Sequence, residues 1–249
     1  MTFIYKTSLF ISAGDVNAEG ELGLPQITAS LIDVATRHAN SLGIGNPSMT
    51  ELHAGWILSR LTIEMTDYPR ANEECVIETW VTGWNRHFSE RSFRLSSPDG
   101  HIFGYARSIW MVMTTDTHEN FGLSHLTLPD GCLETGLENP IERQARHKPE
   151  IEATDPDTVY TFRYCDIDFY RHVNTVSYVR LILNRFSLEE MDANRAVRLE
   201  LSFLHEGKYH EPVILRRQRE ADGANTFLLR DAKGETPILY ARVKLEPRD

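Results

Sequence analysis

The sequence predicts an α+β protein built twice over, each half an antiparallel sheet wrapped on one long helix. Three observations lead there. Each half contains a segment with helical apolar spacing together with a run of strand-like segments. Two strings recur at nearly one offset: Arg60-Leu61-Thr62-Ile63-Glu64-Met65 returns from Arg198 as Arg198-Leu199-Glu200-Leu201-Ser202-Phe203, and Gly104-Tyr105-Ala106-Arg107 returns as Leu239-Tyr240-Ala241-Arg242. A polar stretch punctuated by Pro129, Pro140, Pro149 and Pro156 separates the halves.

Pro25 opens the first helix, where Ile27, Leu31, Val34, Ala35, His38 and Leu42 recur at helical spacing and Gly43 supplies a stop. Strands follow at Trp56–Met65, Glu74–Thr82, His87–Ser96 and Ile102–Thr114, all rich in β-branched and aromatic residues. Ser97-Pro98-Asp99-Gly100 is a turn that pairs the last two as a hairpin. After the proline-rich stretch, in which some local helix is expected, a strand at Thr158–Tyr164 precedes a helix at about Val173–Phe186. That helix turns Val176, Val179, Ile182, Leu183 and Phe186 inward, and further strands run to the end. The architecture expected is a tandem (double) hot-dog, with residues 1–114 as the first unit, 115–157 as a linker and 158–249 as the second unit.

Composition narrows the function. With 249 residues, 41% apolar and 25% charged, the chain can bury a substantial core and is neither fibrous nor disordered. A formal net charge of −10 supplies no field for nucleic acid or an anionic membrane, so neither is expected as a partner. The apolar run at Ile109–Met113 is far too short for a membrane span. Lys6, Thr7 and Ser8 interrupt any apolar leader core. Three cysteines, Cys75, Cys132 and Cys165, lack C-x-x-C spacing, which points to a reducing cytoplasm and to no zinc or disulfide framework.

The string richest in chemistry is Asp166-Ile167-Asp168-Phe169-Tyr170-Arg171-His172-Val173-Asn174, between a strand and the second helix. Capping explains an Asp or Asn at a helix start. Two carboxylates and an imidazole within seven residues exceed that need, and the free N–H groups of a helix start are a ready seat for a developing oxyanion. No G-x-S-x-G, G-x-G-x-x-G or P-loop motif occurs. His205-Glu206 lacks the second zinc-binding His, since Tyr209 stands there, so no metal is assigned.

With Asp166, Asp168, His172, Val173 and Asn174 in register, this string resembles the D-x-D-x-N-x-H-V-N signature of the acyl-acyl carrier protein thioesterases of plants and bacteria, which are tandem hot-dog enzymes. Trp56-Ile57-Leu58-Ser59-Arg60, Glu78-Thr79-Trp80-Val81 and Ala106-Arg107-Ser108-Ile109-Trp110 resemble further segments of that family, in the family's order. The resemblance implies hydrolysis of a fatty acyl thioester on acyl carrier protein, without metal or redox cofactor, by a monomer or homodimer. It makes Glu206 the general base, has Asp168 orient the water, and has His172 and the helix-start N–H groups hold the carbonyl. Asn174, Tyr170 and Trp56 are the substrate contacts it suggests, with Ile57 and the helix residues Ile27, Leu31 and Val34 lining an acyl pocket in the first half. One position departs: the family's Asn falls on Tyr170, whose single O–H cannot both donate and accept as an amide does. Related fold members act as acyl-thioester hydratases or dehydratases, and a non-catalytic acyl-binding module shares the scaffold. Arg143, Arg146 and Lys148, and the Arg216, Arg217 and Arg219 cluster, are the local cations for docking an acidic carrier.

Overall fold

A computed structural model describes residues 3–117, 119–144 and 150–248. The chain divides after Arg143 into two units.

In the first unit, β1 (Tyr5–Phe10) leads to α1 (Leu24–Ser41), a short α2 (Asn46–Glu51), then β2 (Ala54–Met65), β3 (Glu74–Trp84), β4 (Ser89–Ser96) and β5 (Ile102–Thr114). The strands run antiparallel in the order β1-β3-β4-β5-β2. Helix α1 starts at Gly23 with no side-chain cap, relying on Pro25 in its first turn, and ends where Gly43 takes φ 76°. Its buried face carries Leu24, Ile27, Leu31, Val34, Ala35 and His38, as the apolar spacing requires.

The second unit holds β6 (Thr158–Thr161), a 3₁₀ turn (Tyr164–Asp166), α3 (Thr175–Leu183), α4 (Leu188–Ala193), β7 (Asn194–Phe203), β8 (Pro212–Arg219), β9 (Ala224–Asp231) and β10 (Pro237–Pro247). Here the antiparallel order is β6-β8-β9-β10-β7. Position for position this repeats the first sheet, with β2 matching β7 and β5 matching β10. The recurring strings lie on those matched strands, Arg60–Met65 on β2 with Arg198–Phe203 on β7, and Gly104–Arg107 on β5 with Leu239–Arg242 on β10. Two α+β units of one topology make the tandem hot-dog fold.

Three expectations are corrected. Strand β6 stops at Thr161 because Asp166 accepts the Arg163 N–H and turns the chain. Helix α3 is nine residues long, starting at Thr175 and closing at Asn184; Phe186 is still buried, but beyond the helix. Among the described residues, 115–157 contains no helix. Its first part lies on the first unit, where Leu123 and Leu126 join a buried cluster and the Asn139 Nδ2–H donates to Ala106 O at 2.8 Å. Its last part lies on the second, where Ile151 packs with Leu228 and Tyr240.

Candidate active site

The site grows from the start of α3. Asn174 caps the helix: its Oδ1 accepts the Ser177 N–H at 2.8 Å, satisfying one of the orphan donors of the first turn. Just before it the chain closes a tight loop. Ile167 bridges Val173, the Asp168 N–H donates to His172 O at 2.8 Å, and the Arg171 N–H donates to Asp168 O at 3.1 Å. Asp168 Oδ1 accepts two further amides from inside the loop, Tyr170 N–H at 2.9 Å and His172 N–H at 3.1 Å. The reversal needs a left-handed residue, and Arg171 supplies it at φ 71°, which in a non-glycine costs on the order of 1 kcal/mol.

A second loop, following β7, meets this one. The Val173 N–H donates to Gly207 O at 3.3 Å, and the Gly207 N–H donates to the buried Tyr178 hydroxyl at 2.9 Å. These bonds bring Glu206 to His172, with Nε2 to Oε2 at 3.2 Å and both side chains about one-third exposed. Glycine is required at 207: a Cβ there would stand 2.6 Å from the Tyr178 oxygen and 3.2 Å from Val173. Burial foremost, and after it the Glu206 and Asp168 carboxylates, push the Tyr178 phenol above its usual range, so it stays protonated. Tyr178, Phe162 and Gly207 carry no motif of their own; the only sequence signal was a glycine directly after the candidate base.

Thus the His172 and Glu206 side chains meet, while Asp168 is held by the backbone amides of Tyr170 and His172, with Asn174 and Tyr170 on the same loop. Asn174 is engaged as a cap. Tyr170 is about two-fifths exposed, with its ring tilted on Phe169 at 3.9 Å between centroids. Its hydroxyl has no hydrogen bond among the described residues, and partial burial, then Asp168, raise its pKa. Trp56 belongs to the first unit, where its Nε1–H donates to Ile44 O at 2.7 Å and its ring meets Trp84 edge-on. Ile27, Leu31 and Val34 are buried in that unit's core, and Ile57 is part-buried. Among the described residues, no three His, Cys, Asp or Glu side chains gather as a metal site. The three cysteines are free thiols; Cys165 is exposed, and burial pushes Cys75 up to about 12.

Of the candidate docking cations, Arg217 is buried and cannot face a partner: it donates to Asn225 Oδ1, Arg185 O and Glu190 Oε1 and stacks 4.4 Å from the Phe186 ring centre. Arg216 forms a two-point pair with Asp157, and Arg219 pairs with Glu190 and Asp155. Arg143 pairs with Glu90 at 2.9 Å, while Arg146 and Lys148 lie outside the described residues.

Two topologically matched units define the class, a tandem hot-dog protein, here with an imidazole–carboxylate pair at the start of the second helix. Acyl-ACP thioesterase N-terminal domain sequences match residues 3–122, and Acyl-ACP thioesterase C-terminal domain sequences match residues 150–240. The chain belongs to the acyl-ACP thioesterase family. Oleoyl-acyl carrier protein thioesterase 2, chloroplastic, of Arabidopsis thaliana is 26% identical over 222 residues, covering 82% of this chain and 60% of that protein. Palmitoyl-acyl carrier protein thioesterase, chloroplastic, of Cuphea hookeriana is 22% identical over 219 residues, covering 82% and 52%. The chain therefore spans about 60% or less of the length of these curated relatives. Among solved structures, an acyl-ACP thioesterase from Bacteroides thetaiotaomicron superimposes with TM-score 0.87 at 25% identity over 98% of both chains. The 12:0-ACP thioesterase from Umbellularia californica shares the fold at TM-score 0.81 and 18% identity, over 99% of this chain and 98% of that one. Among the described residues, no helix is long and apolar enough to cross a membrane.

Proposed function

We propose that the chain hydrolyses the thioester joining a fatty acyl group to acyl carrier protein, releasing the free acid and ending chain elongation, in a cytoplasmic setting. The observation that carries this reading is the His172–Glu206 pair at 3.2 Å, held on two hydrogen-bonded loops at a helix start. Glu206 takes a proton from water as the water oxygen attacks the thioester carbonyl carbon. His172 holds Glu206 through Nε2. Asp168 keeps one oxygen on the loop amides and turns the other to the water. The Ser177 N–H is occupied by the cap, so the amides of Thr175 and Val176, at the positive end of α3, receive the negative charge that develops on the carbonyl oxygen. Collapse breaks the C–S bond, and the proton held by Glu206 passes to the departing sulfur. Neither effect suffices alone: a positioned base gives about 10²–10⁴-fold, and one oxyanion donor about 10²–10³-fold.

The test is release of thiol from acyl carrier protein loaded with a graded series of fatty acyl chains. Glu206→Gln keeps the shape of the side chain and removes its basicity. Its kcat is expected to fall by at least about 10²-fold with an unchanged circular dichroism spectrum. Near wild-type turnover in that variant refutes the base assignment, and no thiol release by the wild type on any chain length refutes the activity.

A further inference from the structure

The pairing of Arg143, Arg216, Arg217 and Arg219 leaves open where an acidic partner meets a chain of net charge −10. The two loops of the candidate site answer differently. Arg163 and Arg171 on the first and Lys208 on the second are exposed, and among the described residues none has a carboxylate within ion-pairing distance. These loops are one surface, since Val173 binds Gly207 and the His210 N–H donates to Phe162 O at 3.1 Å.

Large rings stand out of the same loops. Tyr164 is 84% exposed, Phe169 77%, and Tyr209 51%; Phe169 lies on Tyr170, and Tyr209 stacks on His210 at 4.1 Å. Exposed aromatic area gathered with unpaired cations is the composition of a protein-binding surface, since a solvated face has no use for the rings. Both loops also keep a non-glycine residue in the left-handed region, Arg171 at φ 71° and His210 at φ 62°. The acids of these loops keep their charge but stand deeper than the cations. Asp166, which accepts the Tyr160 hydroxyl and the Arg163 N–H, Asp168, which accepts loop amides, and Glu206, which faces His172, are all half-buried, whereas Arg163, Arg171 and Lys208 are exposed, with Glu211 as the exposed acid of the second loop.

We propose that this collar, Arg163, Arg171 and Lys208 with Tyr164, Phe169 and Tyr209, is the docking surface for the acidic carrier protein. The proposal rests on carrier-bound thioester being the substrate. The cations meet carrier carboxylates, the rings cover its apolar surface, and the thioester is delivered to His172 and Glu206 between the loops.

The test uses the full chain and two readouts. Arg163→Glu combined with Lys208→Glu is expected to raise KM for the acyl carrier protein substrate about 10-fold and to flatten its salt dependence. Hydrolysis of the same acyl group on a small thiol should stay within about twofold, because neither residue touches the reacting atoms. Arg216→Gln, at a paired cation, should leave both unchanged. Separately, binding of the unacylated carrier protein, followed by calorimetry, should weaken about 10-fold in the double variant. Equal carrier affinity and equal salt dependence in wild type and double variant overturn the docking surface. Carrier binding lost in the double variant, from a wild type that hydrolyses no thioester, upholds the collar and refutes the hydrolase reading instead.

Discussion

Lowering the pH should destabilise the first unit through a single buried imidazole. His38 lies on the buried face of α1 in its last turn, 2% exposed, and its Nδ1 lies 2.6 Å from Arg91 Nη1 on β4. Arg91 is itself 5% exposed, and among the described residues its guanidinium also donates to Thr79 Oγ1 at 3.4 Å. A guanidinium only donates, so Nδ1 must present its lone pair, and the ring is neutral with its proton on Nε2. Burial, and then the Arg91 charge, pull the His38 pKa down to about 3, while burial pulls Arg91 down to about 10. The unfolded chain takes up the His38 proton near the ordinary imidazole value of 6.5, and the folded chain refuses it until about 3. Between those values the unfolded state binds more protons, so stability is present above about pH 6.5 and is lost as pH falls. At about 1.4 kcal/mol per pH unit the loss reaches about 2 kcal/mol by about pH 5 and about 3 kcal/mol by about pH 4.

His38→Gln isolates this effect, because an amide oxygen still accepts from Arg91 and does not titrate. All four tryptophans, Trp56, Trp80, Trp84 and Trp110, belong to the first unit, so urea unfolding followed by tryptophan fluorescence reports on that unit. Carboxylates that titrate in the same range affect both proteins equally. The expected result is a gap between the two stability profiles that changes by about 2 kcal/mol from about pH 7.5 to about pH 5, the wild type losing more. Parallel profiles refute the buried neutral imidazole.

At Tyr170, where the hydroxyl lacks a partner, Tyr170→Phe should change kcat less than about threefold, and a loss beyond about 10-fold in steady-state assays shows that the phenol takes part in the chemistry. Gly207→Ala puts a methyl group into the Tyr178 hydroxyl and should cost about 1–3 kcal/mol of stability while lowering kcat through displaced Glu206; an unchanged melting temperature shows that the site has room.

Much of this was legible in the sequence because it rests on local periodicity. Strands β2 to β5 of the first sheet appeared as β-branched and aromatic runs, and α1 as a spaced apolar face that includes His38. What failed were inferences that treat burial as helicity or charge as exposure. Phe186 extends the apolar spacing of α3, yet it is buried against Phe227 and under Arg217 after the helix has closed. The Arg216–Arg219 run stood out in the sequence as a local cation cluster because its counter-charges, Asp155, Asp157 and Glu190, come from distant segments. Strand β1 shows an alternating burial pattern that six residues near a chain start do not advertise. At the site, the 166–174 string announced polar crowding, but the partnership of His172 with Glu206 depends on the Val173–Gly207 and Gly207–Tyr178 bonds, which no spacing reveals.

The two copies differ most where their helices begin, and this difference argues for where the chemistry resides. In the first unit the start of α1 is apolar: Gly23 provides no side-chain cap, Leu24 is buried, and the helix runs 18 residues. Its unusual polar groups, His38 and Arg91, are buried, with the imidazole held neutral, so they offer no proton at working pH. In the second unit the helix is half as long and is preceded by a loop closed on Asp168, capped by Asn174 and open enough to leave His172 and Glu206 partly exposed. A proton-transfer pair needs solvent access and a fixed geometry at once, and loops locked by their own backbone bonds provide both. The uncapped, buried start of α1 provides neither. Duplication thus leaves one unit with a buried helix start while the other opens its helix start to water.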